Sequence, residues 1–351
     1  MTLDISGAVA ADGVDSPVAA HYGDPLREQR TLLDAAGFVD RSHRGVAAVT
    51  GEDRLSWLHS LTSQHLEALP PWQPTEALVL SPHGHVEHHL QVLDDGTTTW
   101  LDMEPGTAEA LTGYLTSMVF LSRVEPRDVT ADWAVLSVVG PDTGKVLTEL
   151  GLPADRAAPL PDGGWVRPMT WPGAAAADLL VPRGQLAGYA ARLAGLAAKP
   201  AGIWAYEALR VEARQPRLNF ETDHRTIVQE VGWIPAAVHL DKGCYRGQET
   251  VARVQNLGQP PRRLVLLHLD GTAEEMPPGG TPVTREDGRQ VGFVGTAVRH
   301  ADLGVIALAL VKRTVAGGVT LRAGEMAAAI DPEDAAVPEK ELPGVLRSFR
   351  R

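Results

Sequence analysis

The stretch Val49-Thr50-Gly51-Glu52-Asp53-Arg54-Leu55-Ser56-Trp57-Leu58 returns in outline as Val138-Val139-Gly140-Pro141-Asp142-Thr143-Gly144-Lys145-Val146-Leu147. Both fit Val-x-Gly-x-Asp-x-x-x-x-Leu, with the two glycines 89 residues apart. Each copy follows a strand-like run, Gly45 to Thr50 in one case and Trp133 to Val139 in the other. Each then leads into an amphipathic helix. Further strands are expected at Glu76 to Ser81, Val86 to Leu93 and Thr97 to Met103, before a helix from about Thr107 to Met118. The second copy continues with strands at Trp165 to Trp171 and Ala176 to Val181 and a helix near Gln185 to Leu196. That order predicts a duplication of ferredoxin-like α+β units, each a sheet with helices on one face.

The texture changes beyond Arg262. Short apolar runs at Leu264 to Leu269, Gln290 to Thr296 and Val305 to Val311, divided by Pro277-Pro278-Gly279-Gly280 and Glu286-Asp287-Gly288, predict a small β-barrel. The expected organisation is a mobile leader over 1–22, a first α+β module over 23–130, a second over 131–261, the barrel over 262–330 and a loosely attached tail over 331–351.

Composition bounds the function. The chain has 351 residues, 44% hydrophobic and 22% charged, with a net charge of −12 and a single cysteine. A lone cysteine excludes an intramolecular disulfide and a self-sufficient four-cysteine metal or iron-sulfur site. The negative charge argues against broad electrostatic capture of nucleic acid. No run of about 18 apolar residues occurs, and the N-terminus carries Asp4 and Asp12 in place of a basic region with a long apolar core, so a cytoplasmic protein is expected.

The one cysteine sits in Lys242-Gly243-Cys244-Tyr245-Arg246-Gly247-Gln248-Glu249. In an extended segment Lys242, Cys244 and Arg246 would share a face, where the two cations would favour thiolate. The glycines permit a turn or a close approach. The alternative is a small buried hydrophobe.

This motif, together with Leu209-Arg210-Val211-Glu212-Ala213 and the terminal passages Gly288 to Thr296 and Ala307 to Val311, resembles the YgfZ family of folate-binding proteins, relatives of the aminomethyltransferase (T protein) of the glycine cleavage system. The resemblance implies an aminomethyltransferase-like ring of three modules around a tetrahydrofolate pocket. It also implies a protein that assists assembly, maintenance or repair of iron-sulfur clusters, with cluster-dependent client enzymes, such as tRNA-modifying methylthiotransferases, or cluster carriers as partners. Under it, Cys244 is the reactive or cluster-contacting atom and Lys242 its electrostatic activator. Glu212 holds the pterin through paired hydrogen bonds, and Gly243, Tyr245, Gly247, Gln248 and Glu249 complete the cofactor-binding motif. Read from spacing alone, Glu212 is better taken as an exposed helix carboxylate flanked by Arg210 and Arg214.

Two departures from the family pattern matter. Val228 stands where the loop from Asn219 to Glu230 commonly has proline, and Asp223, His224 and Glu230 there are pocket residues or turn formers. Aminomethyltransferases have Gly-Gly-Ile-x-Asp-Asp-Leu where this chain has Gly84-His85-Val86-Glu87-His88-His89-Leu90. Imidazole replaces the acidic pair, which speaks against transfer from an aminomethyl-lipoyl carrier. The alternative function is a folate-dependent one-carbon transferase with an altered acceptor. On a regular strand His85, Glu87 and His89 would share a face, but the expected reading is a polar strand with one residue facing the folate cavity rather than a metal site. Trp57 and Trp72 are candidates for the pterin wall or for the core.

Overall fold

The computed structural model describes residues 3–171, 175–271 and 275–337. The strand that opens the first repeat, Gly45–Thr50, is apolar on both faces and is flanked by Thr98–Met103 and Glu125–Asp128. The antiparallel sheet continues through Val86–Asp94 to Thr75–Leu80. Helices α2 (Arg54–Leu61) and α3 (Ala108–Ser117) cover one face over a core that includes Leu58, Val79, Leu101 and Leu111.

The second repeat opens with Trp133–Val139, central in a sheet ordered Ala158–Pro159, Trp165–Pro168, Ala176–Pro182, Trp133–Val139, Gly37–Asp40 and Lys199–Ala201. Its helices are α4 (Thr143–Glu149) and α5 (Leu186–Gly195). Both signature glycines end their strands at positive φ, +113° at Gly51 and +129° at Gly140. A Cβ there would lie 2.0 Å from the Arg123 carbonyl oxygen and 2.2 Å from that of Ala35. The repeated glycine thus marks a repeated close passage of backbone.

Two expected boundaries move. Gly37–Asp40, assigned by sequence to the first module, pairs antiparallel with Trp133–Val139 and parallel with Lys199–Ala201, so it belongs to the second sheet. The described part of the expected mobile leader, residues 3–22, is packed. Val9–Ala10 pairs with Ala19–His21, Val18 and Ala20 are fully buried, and Asp15 bonds Arg217 through both carboxylate oxygens at 2.9 Å. The leader, rich in Ala, Gly, Val and Asp, reads as aperiodic because its buried contacts are long-range, which local pattern does not record.

The barrel is closed by six strands, Arg262–Leu269, Gly304–Lys312, Gln290–His300, Pro282–Arg285, Leu321–Ala323 and Met326–Ile330. Asp331 and Asp334, in the expected tail, bond Arg214 at 3.0 and 2.9 Å, which ties them down; residues from 338 lie outside the described part.

Helix α6 (Ile203–Glu212) joins these parts, running beside α1 (Pro25–Asp34) and against the barrel, where Ala208 and Val211 pack on Leu266, Ile306 and Leu308. Helix α7 (Gln248–Leu257) leads into the barrel. Among the described residues no helix is long and apolar enough to cross a membrane.

Candidate functional site

Between the two sheets and α6 lies a cleft open to solvent, with a volume of about 120 Å³. The first sheet presents Glu76, His89 and Gln91, and the turn after Gly37–Asp40 presents Arg41, His43 and Arg44. The second sheet contributes Arg167 and Asp178 with Met169 and Trp171 beyond them; α6 and the segment after it supply Tyr206, Glu207, Arg210 and Arg217.

The charged walls are cross-braced. Arg167 reaches Asp102 at 2.6 Å and Asp178 at 2.8 Å, while Arg44 reaches Asp102 at 2.9 Å. Arg217 bonds Glu104 at 2.9 Å and lies 3.3 Å from Glu207, and Arg210 bonds Glu207 at 2.8 Å and Glu221 at 3.1 Å. Burial alone would raise the carboxyl pKa values, but the facing guanidiniums outweigh it and hold Glu104 and Asp178 each at about 2. Two buried atoms on the lining, His43 Nδ1 and Tyr206 Oη, lack a hydrogen-bond partner among the described residues. A ligand with a polar edge can satisfy both. Trp171 and Tyr206, with ring centroids 5.2 Å apart, add an aromatic wall.

The cysteine motif lies elsewhere and has a different geometry from the extended one expected. Residues 241–247 form bends and a turn. Lys242 points inward, where its ammonium donates to the carbonyls of His59, Thr62 (2.6 Å) and Gln64 (3.1 Å) at the end of α2. Burial lowers its pKa to about 8. Cys244 is exposed. Tyr245 turns in against Leu78, Leu80, Val86 and Trp233, and burial raises its hydroxyl to about 12. The shared face of Lys242, Cys244 and Arg246 is therefore absent, because the chain turns where alternation assumed a strand.

Gly247, at φ +82°, precedes α7, and a Cβ on it would sit 2.7 Å from the Ser81 carbonyl oxygen. With Arg246 bonding Glu87 at 3.0 Å, this docks the motif on the turn 81–87 of the first sheet.

None of Glu212, Gly243, Tyr245, Gly247, Gln248 and Glu249, assigned to the cofactor by sequence, lines the cleft. Glu212 ends α6 with its carboxylate 44% exposed and 3.3 Å from His300, whereas Glu207, on another side of the helix, reaches the cleft. Asp223 and Glu230 hold Arg262 at 2.6 and 2.7 Å, stapling their loop to the barrel. Trp57 and Trp72 pack in hydrophobic cores.

The histidine strand departs from regular alternation. Val79 pairs His88 and Leu80 pairs Val86, so Glu87 is bulged out toward Arg246. His85, Glu87 and His89 consequently share no face, and no group of three His, Cys, Asp or Glu side chains among the described residues is arranged to hold a metal ion. His88 turns inward and burial lowers its pKa to about 4. His89 faces the cleft. The sequence signal for the remaining lining was weak: arginines at 41, 44, 167 and 217 are distinguished only by burial, and the fold brings them together from three separate segments.

Comparison with known proteins agrees with this architecture. Residues 6–242 match the GCVT N-terminal domain and residues 262–337 the CAF17 C-terminal β-barrel domain. A chloroplastic protein of Arabidopsis thaliana with a provisional transferase name is 28% identical over 83% of this chain and 68% of its own length. The aminomethyltransferase of Herpetosiphon aurantiacus is 26% identical, covering 86% of this chain and 84% of its own. The crystal structure of the glycine cleavage system aminomethyltransferase T of Bartonella henselae superposes with a TM-score of 0.82 over 94% of this chain and 95% of that one, at 19% identity.

Proposed function

The chain belongs to the GCVT N-terminal domain family, and from that premise we propose that it binds tetrahydrofolate in the cleft and assists assembly, maintenance or repair of iron-sulfur clusters in client enzymes. The observation that carries the folate reading is the cleft lining. An aromatic and thioether wall of Trp171, Tyr206 and Met169 faces guanidiniums, and two buried polar atoms there await partners. A pterin is flat with a hydrogen-bonding rim, and its glutamate tail is anionic. Trp171 and Tyr206, packed on each other, would form one wall beside the ring, Tyr206 Oη and His43 Nδ1 would meet its polar rim, and Arg41 would receive carboxylate. When bound, tetrahydrofolate supplies nitrogens able to carry a one-carbon unit.

Cys244 is the client-facing atom in this proposal. Its exposure at a turn, anchored on one side by Lys242 and on the other by Tyr245, fits contact with a second macromolecule or its cluster. A protein partner fits the net charge of −12 better than nucleic acid does. A one-carbon transferase with an altered acceptor is the second reading, favoured by the His89–Glu76 pair facing the cleft.

Anaerobic calorimetry with tetrahydrofolate tests the proposal. Native protein and Cys244→Ser should bind alike, with Cys244→Ser failing to restore cluster-enzyme activity in deficient cells. Absence of binding to the native chain refutes the folate reading, and full rescue by Cys244→Ser refutes the role of the thiol.

A further inference from the structure

The loop that follows α3 carries the most exposed large apolar side chains among the described residues. Leu121 is 99% exposed and Phe120 85%, whereas the next such side chain, Val14, is 50% exposed. Met118, Val119 and Val124 on either side pack against the core of the first module, so the chain leaves the core, presents two apolar residues to solvent and returns. The Ser122 N–H donates to the Val119 carbonyl at 2.9 Å and closes the turn. Phe120 stands in it at φ +44°, a left-handed position that a bulky side chain rarely adopts.

This conformation is held from both sides. Trp57 Nε1 donates to the Met118 carbonyl at 3.0 Å. The Arg123 N–H donates to Asp53 Oδ2 at 2.8 Å, while its guanidinium lies 3.1 Å from Asp53 Oδ1 and pairs with Glu52. A side chain at Gly51 would strike the Arg123 carbonyl, so the close passage at the first signature glycine is also the seat of this loop. Two apolar side chains on a braced turn are ordered before anything binds them, as suits an anchor. The same helix, α3, carries Tyr114, whose ring centroid lies 5.4 Å from the Arg246 guanidinium of the cysteine motif. Leu121 comes seven positions later, roughly 10 Å away at about 1.5 Å per helical residue. A standard protein footprint of about 800 Å², about 30 Å across, spans both. The exposed residues of α2 and α3 nearby, Ser56, Gly113, Thr116 and Ser117, are uncharged, which suits the centre of an interface.

Charge around the tip selects among occupants. Glu52, Asp53 and Glu125 outnumber Arg123 and Arg127, whose guanidiniums they pair, so the excess is negative like the whole chain at −12. That sign is wrong for an anionic bilayer, which attracts lysine and arginine. A second copy docked about a two-fold axis would set the acidic rim against itself. Resting on the client reading above, we propose that Phe120 and Leu121 are the apolar anchor of the surface that holds a client protein over Cys244, and that the client offers an apolar pocket with a basic rim.

The experiment returns the full chain, at equal protein level, to cells deficient in it and measures the activity of a tRNA-modifying methylthiotransferase. The double variant Phe120→Asn with Leu121→Ser removes the anchor. Asparagine tolerates the left-handed position and both side chains are exposed, so the variant should unfold at the native temperature or above. Its rescue should fall by about tenfold or more. Leu121→Met, which keeps an apolar side chain, should retain rescue, and Glu125→Lys should lower it several-fold, about as a rim charge does. Rescue by the double variant equal to that by the native chain overturns the inference and leaves the client reading intact, whereas failure of the native chain to rescue overturns the client reading itself. Full rescue by Glu125→Lys overturns the basic rim. A double variant that unfolds at a lower temperature makes the tip structural and overturns its role as an anchor. Sedimentation of the purified chain, alone and with phosphatidylglycerol vesicles, reads the other occupants. A dimer, or vesicle binding, that the double variant abolishes assigns the tip to a second copy or to lipid and overturns the client docking.

Discussion

At the scale of single residues, Lys242 shows how a motif's charge can be structural. Its nitrogen donates to three carbonyls at the end of α2, which accounts for its burial better than activation of a thiol that faces solvent. A cation at a helix C-terminus also meets the negative end of the helix dipole. Lys242→Ala leaves those carbonyls without their donor and should cost about 1–3 kcal/mol in urea unfolding. Alkylation of Cys244 near neutral pH should then stay within about twofold of the native rate or rise. A tenfold slowing with unchanged stability would restore the activating role.

At the scale of elements, the repeated strand, glycine and helix was legible because its cause is local. The backbone approach that requires Gly51 requires Gly140 as well. Gly140→Ala should cost more than about 2 kcal/mol, since left-handed strain of about 1–2 kcal/mol adds to a contact with backbone. Gly144→Ala, on α4 with its added Cβ 3.5 Å from Ala154, should be neutral or stabilising by up to about 1 kcal/mol. Thermal unfolding of the two variants checks the pair; equal effects would mean that the left-handed position at 140 is not maintained. The bulge at Glu87 was illegible for the converse reason. Alternation in Gly84 to Leu90 says nothing about where a register slips, and the slip decides that Glu87 turns away from the face that His89 keeps.

At the scale of the whole molecule, the parts are joined by charge as well as by apolar packing. Arg217 links the segment after α6 to Asp15 near the N-terminus and to Glu104 of the first module, and Arg167 links the second sheet to Asp102 of the first. Sequence made the separate modules legible through their periodicity. It left this joint unread, because arginines and carboxylates in strands and loops alike look like solvated surface until the fold removes the water.

The joint also fixes an acid response. Glu104 and Asp178 have folded-state pKa values of about 2, below their ordinary 4.5 and 3.8, so the folded state binds fewer protons than the unfolded chain across that interval. Their contribution is complete above the unfolded values and is lost as pH falls toward 2. Both carboxylates therefore stabilise the folded state at neutral pH, so urea midpoints should fall between pH 5 and about 2. Glu104→Gln should flatten part of that slope while lowering stability at pH 7, because Arg217 and Arg44 then lose a buried counter-charge. A native protein whose midpoint is constant from pH 7 to 3 would contradict an ion-paired joint and would leave apolar contact as what holds the modules around the cleft.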